Sequence, residues 1–311
     1  MSAPTGRSHY LATGVRLHFV EAGPPDGPLT LLLHGFPESS HAWRHQIGPL
    51  AAAGLHVVAP DQRGYALSDK PRGIGSYRLD RLAEDAAALI EAFGAERAHV
   101  VGHDWGGAVA WYLAAARPQC VERLAILNVP HPVVMRRHLR SDRAQLRRSW
   151  YMFFFQLPWL PEWWLRHGDW RNLKRMFRAT SRPGTFSDED LARYAEDCAR
   201  PRALRSMIHW YRAALLRPPP RPASWRVQAP TRIVWGAQDR AIGRDMVEPS
   251  AALCDDADIC WIEEAGHWVQ HEEPERVGEL LLEHLTGARS ATEMQAPETV
   301  LLSTALPRTN R

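Results

Sequence analysis

A chain of 311 residues with 45% hydrophobic and 23% charged side chains has the composition of a globular protein long enough to bury a large core. Its formal net charge is only +3, and the positive side chains are nearly all arginines scattered among acids, with Lys70 and Lys174 the only lysines. No basic stripe suits nucleic acid, no run approaches a span of 18 apolar residues, and residues 1–10 lack an apolar export core, so the expected protein has no membrane span and is cytoplasmic.

Cys120, Cys198, Cys254 and Cys260 are widely spaced and lack metal-type pairing. They are expected to be reduced packing residues, and no metal or other cofactor is called for. Residues 15–20 alternate apolar and polar, as in an early antiparallel strand, and 23–28 form a turn cluster. Residues 29–33 are continuously apolar, the pattern of a strand buried on both faces. That run ends in His34-Gly35-Phe36-Pro37-Glu38, where a glycine followed by X-Pro favours a tight extended loop and admits a cis bond before Pro37. Such a loop can present the Phe36 amide to a developing oxyanion.

A further apolar run over 55–60 closes in Asp61-Gln62-Arg63-Gly64-Tyr65. Leu82, Ala86, Leu89, Ile90 and Phe93 have helical spacing, and Gly94 is a good stop. A strand over 99–101 leads to Asp104, and an Ala-rich helix starting two residues later runs to Arg117, where Pro118 halts it. Residues 123–129 read as the next strand. This alternation predicts a mostly parallel sheet covered by helices on both faces. Residues 131–224 break the rhythm, being rich in arginine and aromatics, helical in spacing, and closed by the stiff proline run over 217–222. They are expected to form a helical lid domain inserted into a core of residues 1–130 and 225–287. Strands resume over 231–235, before Gly236-Ala237-Gln238-Asp239, and over 259–262, before Gly266-His267-Trp268. An amphipathic helix over 274–285 ends at Gly287, and residues 288–311 read as a loosely ordered tail.

The most informative stretch is Gly102-His103-Asp104-Trp105-Gly106-Gly107. Small residues around Asp104 suit the sharp strand-to-helix turn of a nucleophile elbow, written G-x-D-x-G with aspartate where a serine hydrolase carries serine. A carboxylate there can act as a nucleophile and give an ester-linked intermediate, although aspartate is also an ordinary helix cap. Asp104, Asp239 and His267 each follow a predicted parallel strand, where open α/β sheets gather their sites. Singly, Asp239 is also a turn residue and His267 one of 15 histidines. Their order, nucleophile then acid then histidine, is that of the α/β-hydrolases.

The chain accordingly resembles the α/β-hydrolase superfamily over most of residues 15–285, and the pairing of HGFP with GHDWGG resembles the soluble epoxide hydrolases. Gly266-His267-Trp268 is similar to that family's histidine loop. The lid motifs around Tyr151 (Tyr-Met-Phe-Phe-Phe-Gln-Leu-Pro) and Tyr211 (His-Trp-Tyr-Arg) are similar to those of its two tyrosines, which donate hydrogen bonds to the epoxide oxygen. The resemblance implies a hydrolase for small hydrophobic epoxides and water, in which Asp104 is the nucleophile. His267, oriented by Asp239, is the base, and the amides of Phe36 and Trp105 form an oxyanion hole. Phe36, Pro37, Trp105, Phe155 and Trp268 are expected on the substrate wall, while Trp159, Trp163 and Trp164 are expected mainly to anchor the lid on the core. A dehalogenase of the same fold also uses aspartate, but haloalkane dehalogenases usually place asparagine where this chain has Phe36. A non-catalytic receptor on the same scaffold is the other alternative. The sequence leaves the oligomeric state open, a homodimer included.

Overall fold

The continuous apolar runs become the middle of a sheet. In the computed structural model, which describes residues 5–287, eight strands lie in the order β1-β2-β4-β3-β5-β6-β7-β8. They are β1 (Thr5–Tyr10), β2 (Arg16–Ala22), β3 (Leu29–Leu33), β4 (His56–Pro60), β5 (Ala98–His103), β6 (Val121–Leu127), β7 (Thr231–Gly236) and β8 (Ala257–Ile262). From β4 to β8 the pairing is parallel, whereas β1 and β2 run antiparallel at one edge. The expected tail over 288–311 lies outside the described residues.

Alternate residues of β3 explain its unbroken apolar sequence. Leu31 and Leu33 pack on one face with the helices Leu79–Ala92 and Trp105–Ala116, while Leu32 packs on the other with Ile47–Ala52 and Pro274–Thr286. A strand buried on both sides has no polar face to alternate. The polar strand β1 escaped sequence reasoning because its place comes from pairing with β2. The chain crosses from β3 to β4 in one direction and returns to β5 on the other side of β3. That reversal opens a crevice beyond the carboxyl ends of β3 and β5. The loops after these two strands carry Phe36 and Asp104.

Between β6 and β7 the chain inserts helices Pro132–Ser141, Arg143–Arg148, Trp150–Phe154, Leu160–Thr180, Asp188–Ala199 and Ala203–Leu216. The long one is broken at its middle, where Gly168, Asp169 and Trp170 all take positive φ. Trp210 donates its indole N–H to the Arg63 carbonyl at 3.1 Å, and the hydroxyls of Tyr77 and Ser206 hydrogen-bond at 2.8 Å. These contacts fix helix Ala203–Leu216 on the core. The buried Arg212 guanidinium then joins the inserted helices to one another. It donates to the Phe155 and Leu157 carbonyls at 2.9 and 2.6 Å and to both oxygens of the buried Glu162 at 2.8 and 3.1 Å. Trp159, Trp163 and Trp164 do not anchor the lid as expected, because Pro161, Glu162, Leu165, Leu173 and Phe177 already occupy the buried side of their helix. The tryptophans are exposed instead.

No helix among the described residues is long and apolar enough to cross a membrane. All four cysteines are unpaired.

Candidate active site

Asp104 follows β5 directly with φ 48° and ψ −121°, and helix Trp105–Ala116 begins right after it, one residue earlier than the sequence suggested. A positive φ is rare for a residue with a Cβ and costs on the order of 1–3 kcal/mol. The crowding around the turn shows why its neighbours are glycines. A Cβ on Gly106 would fall 2.1 Å from the Leu33 carbonyl oxygen, and one on Gly35 would fall 2.6 Å from the Asp104 Cβ. Stripped of these side chains, the β3 loop closes on the turn, and the Phe36 amide donates to Asp104 Oδ1 at 2.9 Å. The bond before Pro37 is cis. Behind the loop, buried His34 donates from Nδ1 to the Gly35 carbonyl at 2.9 Å and accepts from the Gln62 amide on Nε2 at 3.1 Å.

His267 reaches the same point from the loop after β8. Its Nδ1 lies 2.8 Å from Asp239 Oδ2 and its Nε2 3.8 Å from Asp104 Oδ2. The second distance is longer than a hydrogen bond and leaves the ring edge directed at the Asp104 carboxylate. Asp239 also accepts on Oδ1 from the amides of Ala241 and Ile242 at 2.8 and 3.0 Å, and on Oδ2 from Asn128 Nδ2 at 2.9 Å. Burial opposes its charge, yet His267, Asn128 and the Ile242 amide together hold its carboxyl below the usual range. Burial likewise opposes the imidazolium of His267, but the neighbouring charges of Asp239 and Asp104 raise its pKa to about 9.

Facing Asp104 from the lid are two phenols. Tyr211 packs edge-on to Trp105 and Phe36, with ring centroids 5.0 and 5.1 Å away, and Tyr151 lies 6.0 Å from Tyr211. Phe155 closes the group at 4.9 Å from Tyr211 and 5.3 Å from Phe36. Burial and the Asp104 charge push both phenols well above their ordinary pKa, so both are donors throughout the neutral range. Apolar walls with a few converging polar groups are the usual make-up of a small-molecule site.

Comparisons with known proteins show the family. Residues 28–274 match the family model described as the alpha/beta hydrolase fold. The chain is 35% identical over 275 residues to human epoxide hydrolase 4, covering 86% of this chain and 75% of that protein. The chain belongs to the epoxide hydrolase family of α/β-hydrolases. It is also 45% identical over 272 residues to the AB hydrolase superfamily protein YfhM of Bacillus subtilis, covering 88% of this chain and 95% of that one. Among solved structures, epoxide hydrolase A from Mycobacterium thermoresistibile is similar with a TM-score of 0.80 and 31% identity, over 92% of this chain and 99% of that one. The inhibitor complex of Bacillus megaterium epoxide hydrolase gives a TM-score of 0.80 and 32% identity, over 90% and 100%.

Within this family member, Asp104, Asp239, His267, Tyr151, Tyr211, Phe36, Trp105 and Phe155 converge on one crevice, although the sequence scatters them from position 36 to 267. Trp268 takes a different place from the substrate wall expected for it. Its indole packs on Phe177 and Phe186 with centroids 5.0 and 5.6 Å away and donates to Thr180 Oγ1 at 2.9 Å, so it joins the histidine loop to the lid. Sequence reasoning missed Asn128, which takes φ 46° just beyond β6. It accepts from the Gly236 amide at 2.9 Å while its other side-chain atom holds Asp239. The signal was an asparagine at a strand end, the polar residue that best tolerates this backbone. His103 was also missed: its Nε2 donates to the His267 carbonyl at 2.8 Å. Behind it, Arg44 donates to His271 Nδ1 at 3.0 Å, so the His271 Nε2 carries the proton given to Glu38 Oε1 at 2.6 Å.

Proposed function

We propose that this enzyme hydrolyses hydrophobic epoxides to vicinal diols through a hydroxyalkyl ester on Asp104. The observation that carries this reading is one carboxylate with a charged His–Asp pair on one side and two protonated phenols on the other. Asp104 attacks an epoxide carbon, the carbon–oxygen bond breaks, and the alkoxide takes a proton from a lid tyrosine. Ester formation removes the Asp104 charge that helps to raise the His267 pKa. The imidazolium then gives up its proton, which restores the phenol. Neutral His267 next takes a proton from water as the hydroxide adds to the ester carbonyl. The amides of Phe36 and Trp105 face the resulting oxyanion, where one such donor is typically worth about 3 kcal/mol. Collapse releases the diol and returns Asp104 as carboxylate and His267 as imidazolium. Each proton is accounted for, and the net reaction is epoxide plus water.

A dehalogenase site needs donors for a departing halide. The side chain of Trp105, the obvious candidate, is packed edge-on against the Tyr211 ring at 5.0 Å. The paired phenols suit an oxygen leaving group better. A single turnover of an aryl epoxide in ¹⁸O water tests the proposal. The first diol is expected to carry unlabelled oxygen from Asp104, with the label left on the enzyme carboxylate. Label directly in that diol would make Asp104 a general base instead, and a failure to form diol from any epoxide would overturn the reading.

A further inference from the structure

We propose that the outer face of the lid docks on the surface of a lipid bilayer carrying anionic headgroups. Trp150, Trp159, Trp163 and Trp164 are 60%, 70%, 60% and 37% exposed, and Phe153, Leu157 and Leu160 beside them are exposed as well. The patch is continuous rather than scattered. Phe154 bridges Trp150 and Trp164 with ring centroids 5.9 Å from each, across the gap between helices Trp150–Phe154 and Leu160–Thr180. Single exposed apolar side chains are ordinary, but a cluster of this kind marks a surface that something covers.

Charge identifies the occupant. Residues 131–180 carry ten arginines and Lys174 against only Asp142, Glu162 and Asp169, and Glu162 is buried on Arg212. The chain as a whole is only +3, so its positive charge is concentrated in this insertion. Arg143, Arg147 and Arg166, each within seven residues of one of these tryptophans in the sequence, are exposed. Further along the same helix, Arg171, Lys174, Arg175 and Arg178 surround Asp169 in an open groove of about 520 Å³. Arg178 also pairs with Asp188. Tryptophan beside arginine is the composition of an interfacial segment, since the indole sits at headgroup depth while the cations meet lipid phosphates. A second copy of the chain fits less well. A twofold contact would lay this basic surface against itself.

The placement also has a consequence for access. Trp150 and Phe153 point outward from the short helix whose Tyr151, with Phe155 just past its end, points toward Asp104. A bilayer on the outer face would bring its dissolved apolar molecules within one helix of the crevice. The docking itself does not depend on the reaction chemistry.

The test is co-sedimentation of the full chain at physiological salt with phosphatidylcholine vesicles, and with vesicles of phosphatidylcholine and phosphatidylglycerol in equal parts. Binding is expected to the mixed vesicles and not to phosphatidylcholine alone. It should weaken by about 10-fold or more in Trp150→Ser/Trp159→Ser/Trp163→Ser, and similarly in Arg147→Gln/Arg171→Gln/Arg175→Gln. Both variants should keep the parent melting temperature and the parent turnover of a water-soluble epoxide. Should either variant fold poorly, brominated lipids in the mixed vesicles must still quench the wild-type tryptophan fluorescence. Absence of binding and quenching, or variants that bind like the parent, would overturn the proposal. So would a vesicle-free dimer in analytical ultracentrifugation that the tryptophan substitutions abolish, because the occupant would then be a second copy. Retention on an acidic protein column without vesicle binding would overturn it in favour of a protein partner.

Discussion

In the proposed mechanism the carboxylate nucleophile needs no base to activate it, so His267 acts as a base only toward water, in the second half-reaction. His267→Gln should therefore open the ring and stop at the ester. Intact-protein mass spectrometry should show an adduct with the mass of the epoxide, and one equivalent of substrate consumed without an adduct would sink the assignment. The same proposal assigns Tyr151 and Tyr211 to the first half-reaction, where the alkoxide charge appears. With two donors on one oxygen, each Tyr→Phe change should slow ring opening by about 10- to 100-fold, or about 1.4 to 2.7 kcal/mol. The double change should approach inactivity, while hydrolysis of a preformed ester stays nearly constant. Phenylalanine fills almost the same volume, so tyrosines that only pack would tolerate both substitutions. Stopped-flow rates for the two steps distinguish these outcomes.

Among the elements, Arg212 makes most of the polar contacts that hold Tyr151 beside Tyr211, with the Gln156 side-chain amide adding a bond to the Tyr211 carbonyl at 3.2 Å. The Arg212 guanidinium, on the helix of Tyr211, satisfies the Phe155 and Leu157 carbonyls that follow the helix of Tyr151, and pairs with Glu162 on a third helix. Arg212→Leu leaves a buried carboxylate without its main partner, which should cost about 3–5 kcal/mol of stability. Urea unfolding should show that loss, and Glu162→Leu added to it should restore part of the stability because the stranded charge is gone. An Arg212→Leu protein with the parent midpoint would mean that the lid is held by other contacts.

For the molecule as a whole, the His267 pairing makes stability depend on pH. The folded pKa of about 9 lies above the ordinary value of 6.5, so the folded state holds a proton that the unfolded chain has lost between those values. This contribution is fully present below pH 6.5 and fades as pH rises through 9. The melting temperature should fall across that window, and His267→Gln should flatten the fall. Equal slopes in parent and variant, measured by calorimetry, would show that the pairing contributes nothing to folding.

What the sequence determined by itself is local. A glycine-flanked aspartate between an apolar run and an Ala-rich helix can hardly fold as anything other than a tight strand-to-helix turn, because the backbone leaves no room for other side chains there. Strands β3, β4 and β5 were legible for a related reason, since burial on both faces demands an unbroken apolar run. The order of Asp104, Asp239 and His267 was equally plain, each standing at the end of a strand. What tertiary structure decided is which face of each element is covered. Helical spacing could not tell whether Trp159, Trp163 and Trp164 look inward, because Leu165 and Phe177 compete for the same core and take it. Nor could it place Trp268, which follows His267 directly yet turns to the lid aromatics. Asn128 shows the same limit from the polar side. Its partners, Gly236 and Asp239, lie more than a hundred residues away, and only the pairing of β6 with β7 brings them within hydrogen-bonding reach.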